Sequence, residues 1–487
     1  MKRILWLPVL LLWGVYPAAA QAPQPYDIGA PTLREIWVDG VNGSDDNSGE
    51  SRDNALATVS AAWARIPQTL TDTGYHIRLL PGQYPPAALP NYWESRHGSF
   101  ERPIIIEAVE GRDSVTLAAV NIFDVRYLYF VNVSFASEND PFHCEACQYL
   151  LLRGVRVVGS APDTYEVQEA VKINQSQHIY IETSDISGAW DNAVDFVAVQ
   201  YGHVLNNRIH NAGDWCIYAK GGSAYLRLEN NEIYNCGTGG FTAGQGTGFQ
   251  FMTEPWIQYE AYDIRFVNNV VHDTEGAGAG VMGGYNILIA DNIFYRVGAR
   301  SHVLEFAFGM RSCDGTPGDP GRERCDQYRE AGGWGDSLAA DGENYVRIPN
   351  RHVFVYNNVI YNPSGEQSAY QHFFIPAPYG EQPGTNVPAP ALADDDLQIR
   401  GNLIWNGAAD MPLGVEANPD VPAGCQADNP ACNVAQLRAD NAINQAEPAL
   451  ADPANGDFAL LPGAAVPALP IPEFVQPSPG YDNCCGA

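Results

Sequence analysis

A five-residue motif that returns every 22 to 24 residues constrains this chain more than any other feature. It reads Leu205-Asn206-Asn207-Arg208-Ile209, Glu229-Asn230-Asn231-Glu232-Ile233 and Val267-Asn268-Asn269-Val270-Val271. It continues as Ala290-Asp291-Asn292-Ile293-Phe294 and Tyr356-Asn357-Asn358-Val359-Ile360, with degenerate copies centred on Val133, Val155, Ser184 and Asn402. The steps between central residues are 22, 29, 23, 24, 38, 23, 66 and 44. A basal step of this size is one coil of a parallel β-helix, and the longer steps are coils carrying insertions. Alternating β-rich runs precede the motifs, as in His178-Ile179-Tyr180-Ile181 and Asn286-Ile287-Leu288-Ile289. Asn suits the spot twice over. It tolerates left-handed φ at a turn, and its amide can bond to the Asn one coil above and below. Hairpin turns would not keep this period.

The ends follow the same logic. From about Thr58 to Ile66, Val59, Ala62, Trp63 and Ile66 fall on one helical face, which predicts a helix capping the open first coil. Pro-rich sequence from Pro448 to Pro479 reads as a tail packed along the stack, or as a linker. At the start, Lys2 and Arg3, an apolar run from Ile4 to Val15 and a small-residue site at Ala18-Ala19-Ala20 read as an export signal, too short to span a bilayer. The predicted layout is a signal at 1–20, a linker at 21–34, the β-helix at 35–410 and a Pro-rich, partly irregular segment at 411–487. A secreted or periplasmic location follows, with no membrane span and a monomeric chain expected. Ten cysteines then suggest disulfides. Cys313/Cys325 and Cys425/Cys432 are the first choices and Cys144/Cys147 a tight bridge. Cys216 and Cys236 are not expected to pair, because strict alternation puts them in different columns. Cys484 and Cys485 read as tail thiols.

With 57 acidic residues against 27 Lys and Arg, the net charge of −30 argues against nucleic acid or an anionic membrane as partner. A polyanionic sugar stays open if a local cation reverses the sign.

The run Glu35-Ile36-Trp37-Val38-Asp39-Gly40-Val41-Asn42-Gly43-Ser44-Asp45-Asp46-Asn47-Ser48-Gly49, followed by Leu56-Ala57-Thr58-Val59, resembles the opening of secreted right-handed parallel β-helix proteins of the pectate-lyase-like superfamily. The Asn-Asn coils strengthen the resemblance, which covers roughly residues 35 to 410. It implies an all-β solenoid with a capping helix and inserted loops. It says little about substrate, since this fold carries lyases, hydrolases, epimerases and adhesins.

Aligning coils places Val194, Phe196, Ile217, Ala219, Phe241 and Ala243 inward. Asp191 and Asp214 then share an outward column, Asp195 stacks over Tyr218, and Lys220 ends the same face. Asp191, Asp195 and Asp214 are the expected Ca²⁺ ligands, since a hard cation wants several oxygens. Lys220 is the expected base for β-elimination from a uronic acid, a chemistry similar to that of the calcium-dependent, lysine-base pectate lyases. A second cluster joins Arg300, His302 and Glu305 to Arg311, with His302 for proton transfer and an arginine for a substrate carboxylate. The loop Gly244-Gln245-Gly246-Thr247-Gly248-Phe249, with Trp256, Tyr259 and Tyr262, reads as a sugar-stacking wall, Tyr218 as a further contact and Tyr259 as a candidate acid. The leading expectation is a lyase for an acidic polysaccharide or oligosaccharide. A glycoside hydrolase, a C5-epimerase and a non-catalytic surface β-helix are the alternatives.

Overall fold

The structure is a computed structural model that describes residues 24–160, 167–252, 258–312, 318, 320–334, 346–407, 410–416, 422–462 and 469–472. The expected export signal at 1–20, Trp256, Cys313, Cys484 and Cys485 lie outside these residues.

Each regular coil carries three short strands, as in Trp215–Lys220, Ser223–Glu229 and Glu232–Cys236. Strands one coil apart pair in parallel, and among the described residues they build one sheet of 21 strands and another of 12. The two Asn of each motif divide the labour. The first takes the left-handed turn, with φ of 56° at Asn206 and Asn230, 55° at Asn268 and 58° at Asn357. The second points inward and forms a ladder. Asn207 Nδ2 donates to Asn231 Oδ1, and the chain of bonds runs on through Asn269, Asn292, Asn358 and Asn402 to Asn441, each step at 2.8–3.1 Å. Where the first residue is not Asn, Asp291 (φ 56°), Thr183 (φ 48°) or a glycine, as at Gly401 (φ 71°), does the same service.

The interior is a set of columns, such as Val194–Ile217–Phe241–Ala279–Leu304, all buried. Between strands of this kind the crossover is right-handed almost without exception. The capping helix is Val59–Ala64, with Thr58 accepting the Ala61 N–H and Val59, Ala62 and Trp63 buried. At the other end the winding runs past residue 410, because Leu403–Asn406 pairs with Ala442–Ile443. The described part of the Pro-rich segment packs along the stack. Leu469 bonds the Asn357 side chain, and Ile471 packs on Leu288 and Tyr356. Among the described residues no helix is long and apolar enough to cross a membrane.

Disulfides join Cys144 to Cys147 and Cys425 to Cys432 as the spacing predicts, and Cys325 is also bonded. The expectation for Cys216 and Cys236 is corrected, since they form a disulfide. The corner at Gly213 and Asp214 resets the alternation, so Cys216 turns into the core beside Ile217. Cys236 stacks on Ala212 across that corner, which brings the two Cα atoms to 5.5 Å.

Candidate active site

Four strands stack to make the site: Phe142–Glu145, Val171–Asn174, Val194–Val197 and Trp215–Lys220. Register puts His143, Lys172, Asp195, Tyr218 and Thr242 in one outward column, and Glu145, Asn174, Val197 and Lys220 in the next. Asp195 does stack over Tyr218, as the sequence predicts. Its carboxylate is fully buried, with Lys172 Nζ 3.6 Å from one oxygen and Lys220 Nζ 3.7 Å from the other. Neither oxygen has a hydrogen-bond donor. Lys220 also lies over the Tyr218 ring, 4.0 Å from its centroid.

The whole chain contains three lysines, Lys2, Lys172 and Lys220, among 27 basic residues. Both lysines beyond the signal segment therefore converge on one carboxylate. Sequence reasoning found Lys220 and missed Lys172, Glu169 and His143. The scarcity of lysine was the available signal for Lys172. Glu169 bonds Lys172 Nζ at 2.7 Å. Burial pushes the Glu169 carboxyl up to about 7, although Lys172 opposes the shift. Burial alone would lower the Lys172 ammonium, but Asp195 and Glu169 together raise it, so it stays charged. His143 is lowered by burial and by the nearby Lys172 charge. Its ring bridges Asn121 Oδ1 at 2.9 Å and Asn174 Nδ2 at 3.3 Å.

Asp191 and Asp214 share a corner column, with the Asp214 N–H donating to the Asp191 carbonyl at 2.9 Å. Both carboxyls line one cavity. Burial, then the neighbouring Asp214, push the Asp191 carboxyl up to about 6. Burial and the charges of Asp195 and Asp214 hold the Tyr218 hydroxyl well above the usual tyrosine range.

A wall closes over this floor. Gly246–Gly248 pairs with Gly309–Ser312, which pairs with Val346–Ile348. One cavity of about 310 Å³ contains Glu145, Lys172, Asn174, Asp195 and Phe251; a second of about 340 Å³ contains Asp191, Asp214, Tyr218 and Met310. Lys220, Gly246, Thr247 and Gly248 line both, so Lys220 stands on the ridge between them. The Gly246–Gly248 part of the Gly-rich loop thus lines both cavities.

Other expected site residues lie elsewhere. Arg311 is fully buried and bonds Glu260 Oε1 at 2.7 Å and 3.1 Å, while Glu260 Oε2 accepts the Gly221 N–H at 3.2 Å. It ties the wall to the turn after Lys220 and has no free face for a substrate carboxylate. Tyr259 is buried against Tyr262, Tyr285 and Trp334, away from solvent. Glu305 shares the Asp195 column but four coils on, about 19 Å away at ~4.8 Å per coil. His302 belongs with Glu305, at 3.6 Å, and with Gln371, at 2.9 Å. Arg300 is exposed and paired with Glu275. This second cluster cannot act on a bond held at Lys220.

The expected calcium site does not fit the residues present. Asp195 faces the Lys172 ammonium, which repels a cation, and the Lys220 amine. Among the described residues no three His, Cys, Asp or Glu side chains are grouped to hold a metal ion, whereas Ca²⁺ takes six to eight oxygens.

Residues 142–303 match the family model described as right handed beta helix region. The winding is thus a right-handed parallel β-helix, the fold that the sequence resemblance implies. No curated protein matches the chain in sequence. Among solved structures, the Dettilon tailspike protein is 12% identical with a TM-score of 0.39, over 77% of this chain and 66% of that one. A PL6 family polysaccharide lyase from Pseudopedobacter saltans is 12% identical with a TM-score of 0.43, over 85% of this chain and 96% of that one. A mannuronan C-5 epimerase A-module from Azotobacter vinelandii is 11% identical with a TM-score of 0.39, over 69% and 86%. The chain spans about two thirds of the tailspike's length. None of these likenesses bears on which reaction this chain carries out.

Proposed function

We propose that the chain is an exported carbohydrate-active enzyme that removes the proton α to the carboxylate of a uronic-acid residue in an acidic polysaccharide, and that it cleaves the chain by β-elimination. The observation that carries this reading is the pair of lysines, otherwise absent beyond the signal segment, flanking one buried carboxylate on the wall of a cavity. The Lys172 ammonium gives a chain of net charge −30 a local site for a polyanion. The disulfides suit an oxidising compartment.

Lys172 and Lys220 divide the work. Lys172, held charged between Glu169 and Asp195, binds the substrate carboxylate and draws charge from the α-carbon. Lys220, on the ridge, is the base. A lysine can give up its proton where an arginine cannot. Its nitrogen lone pair takes the C5 proton, the C–H electrons form the C4–C5 double bond, and the C4–O4 bond breaks with the electron pair leaving on O4. Asp195 spaces the two lysine nitrogens and the Tyr218 ring supports Lys220.

The test is to incubate the protein with pectate, alginate and glycosaminoglycans, with and without a chelator, while following ultraviolet absorbance and reducing ends. An absorbing unsaturated product that forms in chelator and vanishes in Lys220→Ala is the expected result. Reducing ends without absorbance would mean a hydrolase, and retention on a polysaccharide gel with neither signal would mean a binding protein.

A further inference from the structure

The two cavities that meet at Lys220 present different charge. In the first, the Lys172 side chain is 25% exposed, whereas both oxygens of its partner Asp195 are buried. The other charged group on that wall is Glu145. Phe251, 52% exposed, adds an apolar face against which a sugar ring can lie. In the second cavity, Asp191 and Asp214 are both part-exposed, and among the described residues of the wall Lys220 is the one cation. Lys220 belongs to both cavities and cancels from the comparison. What remains accessible is one ammonium with one carboxylate in the first, and two carboxylates in the second. The rest of the second wall is uncharged. Tyr218, Gln245 and Ser312 carry groups that bond to hydroxyls, and Met310 is apolar.

A polymer made only of uronic acids has a carboxylate on every residue. With one such carboxylate at Lys172, the next residue across Lys220 meets Asp191 and Asp214. Like charges brought together in a cavity repel strongly. A sugar without a carboxylate escapes that repulsion, and its hydroxyls donate charge-assisted bonds to the two aspartates.

We propose that the preferred substrate is a heteropolymer in which a uronic acid alternates with a neutral sugar: the uronate occupies the Lys172 cavity and the neutral sugar the Asp191–Asp214 cavity. This rests on the β-elimination reading above and narrows its substrate class. The bond that breaks, from C4 of the uronate to O4, then faces the Lys220 ridge, with the neutral sugar attached through O4. Asp191 and Asp214 select the sugar and take no part in the proton transfer.

The test uses the full chain and two matched pairs of oligosaccharides. In one pair, glucuronate carries on O4 either another glucuronate, as in oligomers of oxidised cellulose, or a neutral N-acetylglucosamine, as in hyaluronan. In the other, galacturonate carries either galacturonate, as in pectate, or rhamnose, as in the alternating backbone of rhamnogalacturonan. Within the pair that is cleaved, kcat/KM for the alternating member should exceed that for the all-acidic one by about tenfold or more. The double variant Asp191→Asn, Asp214→Asn should narrow this gap about tenfold, through a gain on the all-acidic member. Raising NaCl to about 0.5 M should narrow it in the unaltered protein too, because salt weakens attraction at Lys172 for both members but repulsion for one; this arm needs no variant to fold. A preference for the all-acidic member, or a gap moved by neither the substitutions nor salt, would overturn the inference and leave β-elimination standing. If no unsaturated product forms, the parent reading fails, and calorimetric dissociation constants for the same four oligosaccharides decide the charge preference. Binding of none of them would overturn both.

Discussion

Replacing Asn292 by Ala tests the device that holds the coils in register. Asn292 is 1% exposed. Its Oδ1 accepts the Asn269 backbone N–H at 2.8 Å and Asn269 Nδ2 at 3.1 Å, and its own Nδ2 donates to the Phe266 carbonyl and Asn358 Oδ1, both at 2.9 Å. Truncation removes four bonds. Asn269 Nδ2 keeps the Leu228 carbonyl, and Asn358 Oδ1 keeps the Asn292 backbone N–H. The Asn269 backbone N–H loses its acceptor inside the solenoid. An orphaned buried donor costs about 1–3 kcal/mol and each of the three other lost bonds about 1 kcal/mol, so a loss of about 4–6 kcal/mol is expected. Coils can open locally, so the assay is native-state hydrogen exchange at Asn269, backed by urea unfolding. Asn292→Asp keeps the acceptor but sets a carboxylate against Asn358 Oδ1 and the Phe266 carbonyl, and should cost at least as much at pH 7. The exposed Asn139→Ala should stay within about 0.5 kcal/mol of the unaltered protein. A change below 1 kcal/mol for Asn292→Ala, or an Asp variant more stable than the Ala variant, would refute the ladder as the source of register.

Two further outcomes are expected. Lys220→Arg keeps the charge but removes the proton acceptor, so kcat should fall about 10²–10⁴-fold; Lys172→Arg should act on KM and spare kcat, and steady-state kinetics on the polysaccharide separates the two. Burial raises Asp263 to about 7, with only partial relief from Asn286. The folded state therefore binds the proton more tightly than the unfolded chain, and this stability is present below about 4 and lost as pH rises through about 7. Asp263→Asn, at a residue with φ 45° that Asn tolerates, should raise Tm at pH 8 and leave it nearly unchanged at pH 4; an equal shift at both pH values would show that the carboxyl is not the cause.

The winding was readable from the sequence because one turn chemistry recurs at one period. Each Asn pair marks a corner, and counting from it fixed the inward columns, the Asp195–Tyr218 stack and the shared column of Asp191 and Asp214. What was not readable depended on places where the period breaks. Lys172 belongs to the coil with a 29-residue step, whose extra residues hide the alignment of Val171–Asn174 with Val194–Val197. Cys216 follows a corner that resets alternation. Arg311 and Tyr259 sit in insertions with no repeat to orient them, so an exposed role was assigned to side chains that pack inside. The calcium expectation failed for another reason. Register gives the height of a carboxylate on the stack, not the neighbours it faces, and here Asp195 faces two lysines.

The near absence of lysine has a practical side. Beyond Lys2 and the amino terminus, Lys172 and Lys220 carry the remaining primary amines of the chain, and both side chains are part-exposed, at 25% and 19%. Reductive methylation with labelled formaldehyde, or acylation by an activated ester, would therefore mark this one groove with no mutagenesis. Protection of those amines by a candidate sugar would report occupancy without any need for turnover.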